Sequence, residues 1–150
     1  MESDYLINGP VTQKEITQLL DRMGEKTDSG GHSIFLGQVR ADVIGGKTVI
    51  AIDYSAYEGM VKAEADKIKK TILAEFRDAK SIDIIHSRGI VKAGEISLLV
   101  IVSAGHRQQA MQACSKAVEL VKEKLPVWKN EIFDDNSHKW KQNSSDQTGS

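Results

Sequence analysis

Cysteine is nearly absent. Cys114 stands alone among 150 residues, which excludes an internal disulfide and any cysteine-built metal cluster. No apolar run approaches the ~20 residues that span a bilayer. The opening MESDYLINGP lacks the basic and then apolar order of a secretion signal. A reducing, cytoplasmic compartment is therefore the expectation, with no membrane partner. Charge of one sign is also lacking: 20 basic and 21 acidic residues nearly cancel. That balance argues against a bulk nucleic-acid binder but leaves room for a local basic pocket. There is no P-loop, Rossmann glycine pattern, serine elbow or metal-ligand spacing. The Gly-Gly pairs at 30–31 and 45–46 read as turns, and Asp134-Asp135 needs no catalytic role. No cofactor or metal is implied.

What is present suits one domain with a true core. A single domain is expected over 1–140, with a disordered tail at 141–150 (KQNSSDQTGS) that has little to bury. Leu6 and Ile7 suggest a short edge strand. Thr12 and Glu15 form a T-x-x-E capping box, and Ile16, Leu19, Leu20 and Met23 give an amphipathic helix over 13–23. HSIFLGQVR (32–40) alternates as a strand, Gly45-Gly46 turns the chain, and TVIAIDYSAY (48–57) is the next strand. A helix follows over 60–76, with Val61, Ala65, Ile68, Ile72 and Phe76 as its buried stripe and its lysines solvated. SIDIIHS (81–87) is a strand ended by Arg88-Gly89, with His86 structural or at the surface. KAGE (92–95) turns into the strand 96–102, and a last helix reaches Leu125, leaving a polar tail. In that helix Cys114 falls on the apolar face and serves as a small buried hydrophobe. This order predicts an α+β fold, a mixed or mainly antiparallel sheet with helices on one side.

The stretch from Ile96 to Glu131 carries the chemistry. A strand turns through Ser103, Ala104 and Gly105 and delivers His106 and Arg107 to a helix start. Backbone N–H groups and the helix field attract anions there. Arginine grips a phosphate through two parallel hydrogen bonds, and histidine donates to it or shuttles a proton. Lys122 sits at the edge of the apolar stripe, where its stem is buried and its amine reaches a pocket. Pro126 breaks the helix, and Trp128 is positioned to anchor the segment that carries Lys129. Arg40 is either a solvated strand end or a third strong donor. Together these residues point to a phosphorylated or carboxylated small molecule. The competing reading is an unspecialised α+β domain used in assembly.

Five pieces, in this order and spacing, go further: FLGQVR at 35–40, YSAYEGM at 54–60, IIHSRG at 84–89, SAGHR at 103–107 and VKEKLPVWKNE at 121–131. With them the chain, over roughly 5–140, resembles the large, catalytic subunit of molybdopterin synthase, the MoaE family. Gly105 departs from the commonest form, in which alanine or proline precedes the histidine.

The resemblance implies an α/β-hammerhead fold with an added small β-rich lobe. It implies a sulfurtransferase that converts cyclic pyranopterin monophosphate to molybdopterin in two sulfur transfers. The sulfur donor would be a ubiquitin-like carrier with a C-terminal Gly-Gly thiocarboxylate. Two copies of this chain would form a central homodimer within a heterotetramer. Lys122 and Lys129 take the catalytic roles in this comparison. Arg40, His106 and Arg107 hold the substrate's phosphate and pterin, with room for one of them to come from across the dimer. A non-catalytic subunit that docks the carrier, or a sulfurtransferase for another anion, would share many of these features.

Overall fold

A computed structural model describes residues 5–142. Eleven elements follow one another: β1 (Leu6–Asn8), α1 (Gln13–Met23), β2 (Gly31–Gln38), β3 (Val43–Ile44), β4 (Lys47–Ala56), α2 (Glu58–Glu75), β5 (Ala79–Lys92), β6 (Ile96–Ala104), α3 (Arg107–Lys124), β7 (Val127–Phe133) and β8 (His138–Gln142). The strands form one sheet in the order β2-β6-β5-β4-β7-β8, with β1 beside β5 and β3 beside β4. Only β1 pairs in parallel, so the sheet is mixed and mainly antiparallel, as the α+β reading requires.

β6 shows why the fold is layered. Its alternate residues face opposite sides of the sheet. Leu98, Val100 and Val102 pack with Val61, Ala65, Ile68 and Ile72 of α2 and Ala113, Cys114, Ala117 and Val121 of α3. Leu99 and Ile101 pack with Val11 and with Leu19 and Met23 of α1. Helices therefore cover both faces rather than one. The single-sided expectation fails because β6 is apolar in both phases, and each phase needs a cover. At the start of α1, Glu15 accepts the Thr12 backbone N–H at 2.6 Å, closing the predicted box.

β5 joins two halves of the sheet. Its first part pairs with β6, from Ala79↔Ala104 to His86↔Leu98. Its last part pairs with β4, from Tyr54↔Gly89 to Ala51↔Lys92. The break expected at Arg88-Gly89 is a bend within one strand. Gly89 takes φ +94, which glycine adopts without the clash a side chain would bring, and the ladder continues through it.

The stretch after Pro126, with the polar tail expected from Asp134, instead holds two strands. β7 pairs with β4 from Ala56↔Val127 to Val49↔Phe133, and β8 pairs with β7. The apolar alternation that would have revealed β7 is masked because Lys129, Asn130 and Glu131 are all buried. Lys141 and Gln142 lie in β8, so the predicted disorder does not begin at 141; its remaining part, 143–150, lies outside the described residues. Trp140 is 57% exposed, and Trp128 also faces outward. It is Lys129, not Trp128, that the strand buries. No helix among the described residues is long and apolar enough to cross a membrane.

Candidate active site

The five cations divide between the two ends of α3. The helix starts just past the end of β6 and runs back along the sheet. Arg107 and Lys122 are therefore separated by about 22 Å of helix at ~1.5 Å per residue. β2 runs antiparallel to β6, so Arg40, just past Gln38, lies near the beginning of β6. That is the Lys122 end. One chain thus brings Arg40, Lys122 and Lys129 to one end of the sheet and leaves His106 and Arg107 at the other.

The lysine end is built around a buried histidine. Lys129 is only 4% exposed and stands opposite Tyr54 in the β4–β7 ladder. Lys122 is half-buried in the last turn of α3. The His86 ring meets Tyr54 edge-on, with centroids 5.0 Å apart and planes at 76°. Tyr54 Oη donates to Ser97 Oγ at 3.0 Å. His86 Nδ1 lies 2.8 Å from the Ser87 carbonyl oxygen, which only accepts, so Nδ1 carries the hydrogen. Burial first, and then the positive charges of Lys122 and Lys129, push His86 down to about 4, against the opposing hydrogen bond to Ser87. Two lysines thus act on one neutral imidazole. Arg40 lies further out, half exposed, its guanidinium paired with Asp42 at 3.3 Å.

The histidine end is open. His106, Arg107, Gln108 and Met111 line a cavity of about 650 Å³ with Gly30 and Gly105. The glycine pair at 30–31 does more than turn the chain: a Cβ on Gly30 would fall 2.3 Å from the Gly105 carbonyl oxygen, so this wall of the cavity needs glycine. The His106 side chain is 86% exposed. Its backbone N–H donates to Asp78 Oδ2 at 2.7 Å, and its ring Nδ1 lies 3.1 Å from the same oxygen. Burial tends to raise the Asp78 carboxyl, but the hydrogen bonds and charge of His106, with Lys80, outweigh it and hold the group below its ordinary value.

Between the two ends lies an apolar groove of about 350 Å³ bordered by Ile34 and Phe35 of β2 and by Met111, Cys114 and Val118 of α3. Cys114 is buried there as predicted, and burial pushes its thiol up.

Sequence reasoning missed Tyr54 and Asp78 and left His86 as structural or superficial. A signal for His86 was present: it continues the phase of Ile82 and Ile84, both buried on the face that α2 and α3 cover. Asp78 has no comparable sequence signal.

The MoaE protein family model matches residues 7–124. A molybdopterin synthase catalytic subunit from Dictyostelium discoideum is 42% identical over 117 residues, covering 77% of this chain and 73% of that protein. One from Drosophila melanogaster is 36% identical over 144 residues, or 95% of this chain, but this chain spans only 38% of that protein's length. Among solved structures, molybdopterin synthase from Staphylococcus aureus superposes with a TM-score of 0.81 at 27% identity, covering 94% of this chain and 98% of that one. A complex of subunits 1 and 2 of molybdopterin-converting factor from Helicobacter pylori shares the fold, with a TM-score of 0.76 at 19% identity. The extent of the family match and the Dictyostelium identity agree with the mixed sheet and three helices seen here: this chain belongs to the MoaE family.

Proposed function

We propose that this chain is the catalytic subunit of a molybdopterin synthase. It would transfer two sulfurs from a thiocarboxylated ubiquitin-like carrier to cyclic pyranopterin monophosphate, building the dithiolene. The observation that carries this reading is the convergence of Lys122 and Lys129 on His86 in a largely buried setting. Sulfur delivery from a thiocarboxylate places negative charge on a carbonyl oxygen. Opening the cyclic phosphate and the pterin ring develops more. Ammonium groups held in a poorly solvated site stabilise such charge far better than water does. A neutral His86 adds no competing positive charge. Arg40 supplies a planar fork for the substrate, exchanging Asp42 for it.

His106 and Arg107 complete the site from a second copy of the chain. β2 ends the strand order, and its outward face carries the exposed Ile34 and Leu36. An open apolar edge of this kind calls for a cover. Two β2 edges approaching antiparallel about a two-fold axis would set the Gly31 end of one beside the Gln38 end of the other. The His106–Arg107 end of each copy then falls beside the Arg40–Lys122 end of its mate, giving two equivalent sites. The phosphate would sit on the partner's helix start, and the pterin would extend toward the lysines.

The direct experiment mixes the purified chain with thiocarboxylated carrier and cyclic pyranopterin monophosphate. The expected product is molybdopterin. A chain that binds the carrier but forms no product would be a docking subunit instead.

A further inference from the structure

Around the start of α3, one carboxylate organises the whole turn. Asp78, in the connection between α2 and β5, accepts the His106 backbone N–H and the His106 ring Nδ1–H on the same oxygen, Oδ2. Its backbone carbonyl accepts the Gly105 N–H at 3.1 Å, and its own N–H donates to Gln109 Oε1 at 2.9 Å. Asp78 therefore touches residues before, at and after the helix start. The carboxylate is three-quarters buried while the imidazole it holds is almost wholly exposed. Its other oxygen, Oδ1, occupies space that any side chain at position 105 would claim: a Cβ there would lie 2.5 Å from it.

We infer that Asp78 is a positioning residue for His106, and that Gly105 is the space that admits it. A carboxylate only accepts, so Nδ1 must carry the hydrogen in this contact. That fixes the tautomer and the ring orientation, as the partner of one imidazole nitrogen does for the other. Nε2 lies across the ring from Nδ1 and so points away from Asp78, on a side chain that lines the open cavity. His106 is thereby presented to a ligand in one state rather than several, and less conformational freedom is lost on binding. Asp78 matters to turnover only if His106 meets the substrate, so this inference rests on the function proposed above.

The test reads the ring and the reaction separately, using the full chain. Long-range ¹⁵N–¹H spectra of His106 in its neutral form are expected to show the Nδ1–H tautomer. In D78A the ring should shift toward the Nε2–H form that free imidazole favours. D78N keeps an oxygen acceptor in place and should retain the Nδ1–H form. G105A should mimic D78A by driving the carboxylate aside, whereas adding G105A to D78A should change little further. In turnover assays, D78A and G105A should raise KM for the phosphorylated pterin roughly 3- to 10-fold, the scale of one hydrogen bond, with kcat nearly constant. A tautomer shift with that KM change supports the inference. A tautomer shift with unchanged KM supports the Asp78–His106 linkage and counts against substrate contact by His106. An unchanged tautomer in D78A overturns the inference, and a loss of ¹⁵N signal dispersion across the chain would identify a folding defect, for which D78N provides the folded comparison.

Discussion

The two ends of α3 carry charges of the same sign in opposite surroundings. At its C-terminal end, Lys122 is half-buried, Lys129 is buried in the sheet, and both act on a buried neutral histidine. At its N-terminal end, His106 and Arg107 stand exposed around an open cavity. A buried ammonium is costly to desolvate and is kept where charge must be met in a dry site. An exposed helix start costs little and suits reversible capture of a phosphate. The contrast suits the proposed division, with chemistry at the lysine end and binding at the histidine end. On that proposal neither end suffices alone, because helix α3 holds the two apart.

Substitutions at the two ends should therefore fail differently. The largest effect is expected at the buried end. Lys122→Ala should lower kcat by ~10²–10³-fold, the scale for losing one preorganised electrostatic group. Circular dichroism and carrier binding should be unchanged, and normal turnover would remove Lys122 from the chemistry. Next comes the link between the ends. Leu36→Asp places a charge on the exposed face of β2 and should convert the proposed dimer to monomer in sedimentation, with turnover falling in step. Activity that survives in a proven monomer would break the two-copy site. At the open end, Arg107→Ala should raise KM for the pterin about 10- to 100-fold, as for a charge-assisted hydrogen bond, with a smaller effect on kcat.

The effect with least bearing on turnover concerns stability, and it arises at the buried end. His86 is held at about 4 when folded, against 6.5 ordinarily. Between those values the unfolded chain binds a proton that the folded chain does not. Folding stability should therefore be full above pH ~6.5 and fall as pH drops toward ~4, by roughly 3 kcal/mol in all. Denaturant titrations across that range measure the slope, and His86→Leu should flatten it. An equal slope in that variant would assign the acid sensitivity to other groups.

Much of the fold was legible because its signals are local. The T-x-x-E box and the apolar spacing of α1, the Gly45-Gly46 hairpin, and the stripes of α2 and α3 each depend on neighbours within a few residues. β7 was not legible, since Lys129, Asn130 and Glu131 are buried by strands distant in sequence, and polarity in sequence then resembles exposure. The same cause hid the centre of the proposed site. Lys122 and Lys129 were identifiable as residue types, but their meeting at His86 depends on the bend in β5 at Gly89 and the return of β7 along β4. Asp78 was invisible because its partner His106 lies across the length of β5 and β6. The unusual Gly105 was visible without its reason, the carboxylate that fills the space.

The union of the two ends across a pair of chains is tested most directly by mixing two impaired variants and assaying them at pterin concentrations well below KM, where each alone is weakly active. Lys122→Ala and Arg107→Ala chains, combined in equal amounts and allowed to exchange, form mixed dimers in which one of the two sites has every residue intact. If the sites are shared, activity should return to about a quarter of the wild-type level, from half the dimers each carrying one working site. A mixture no more active than its separate components would contradict a site shared between chains.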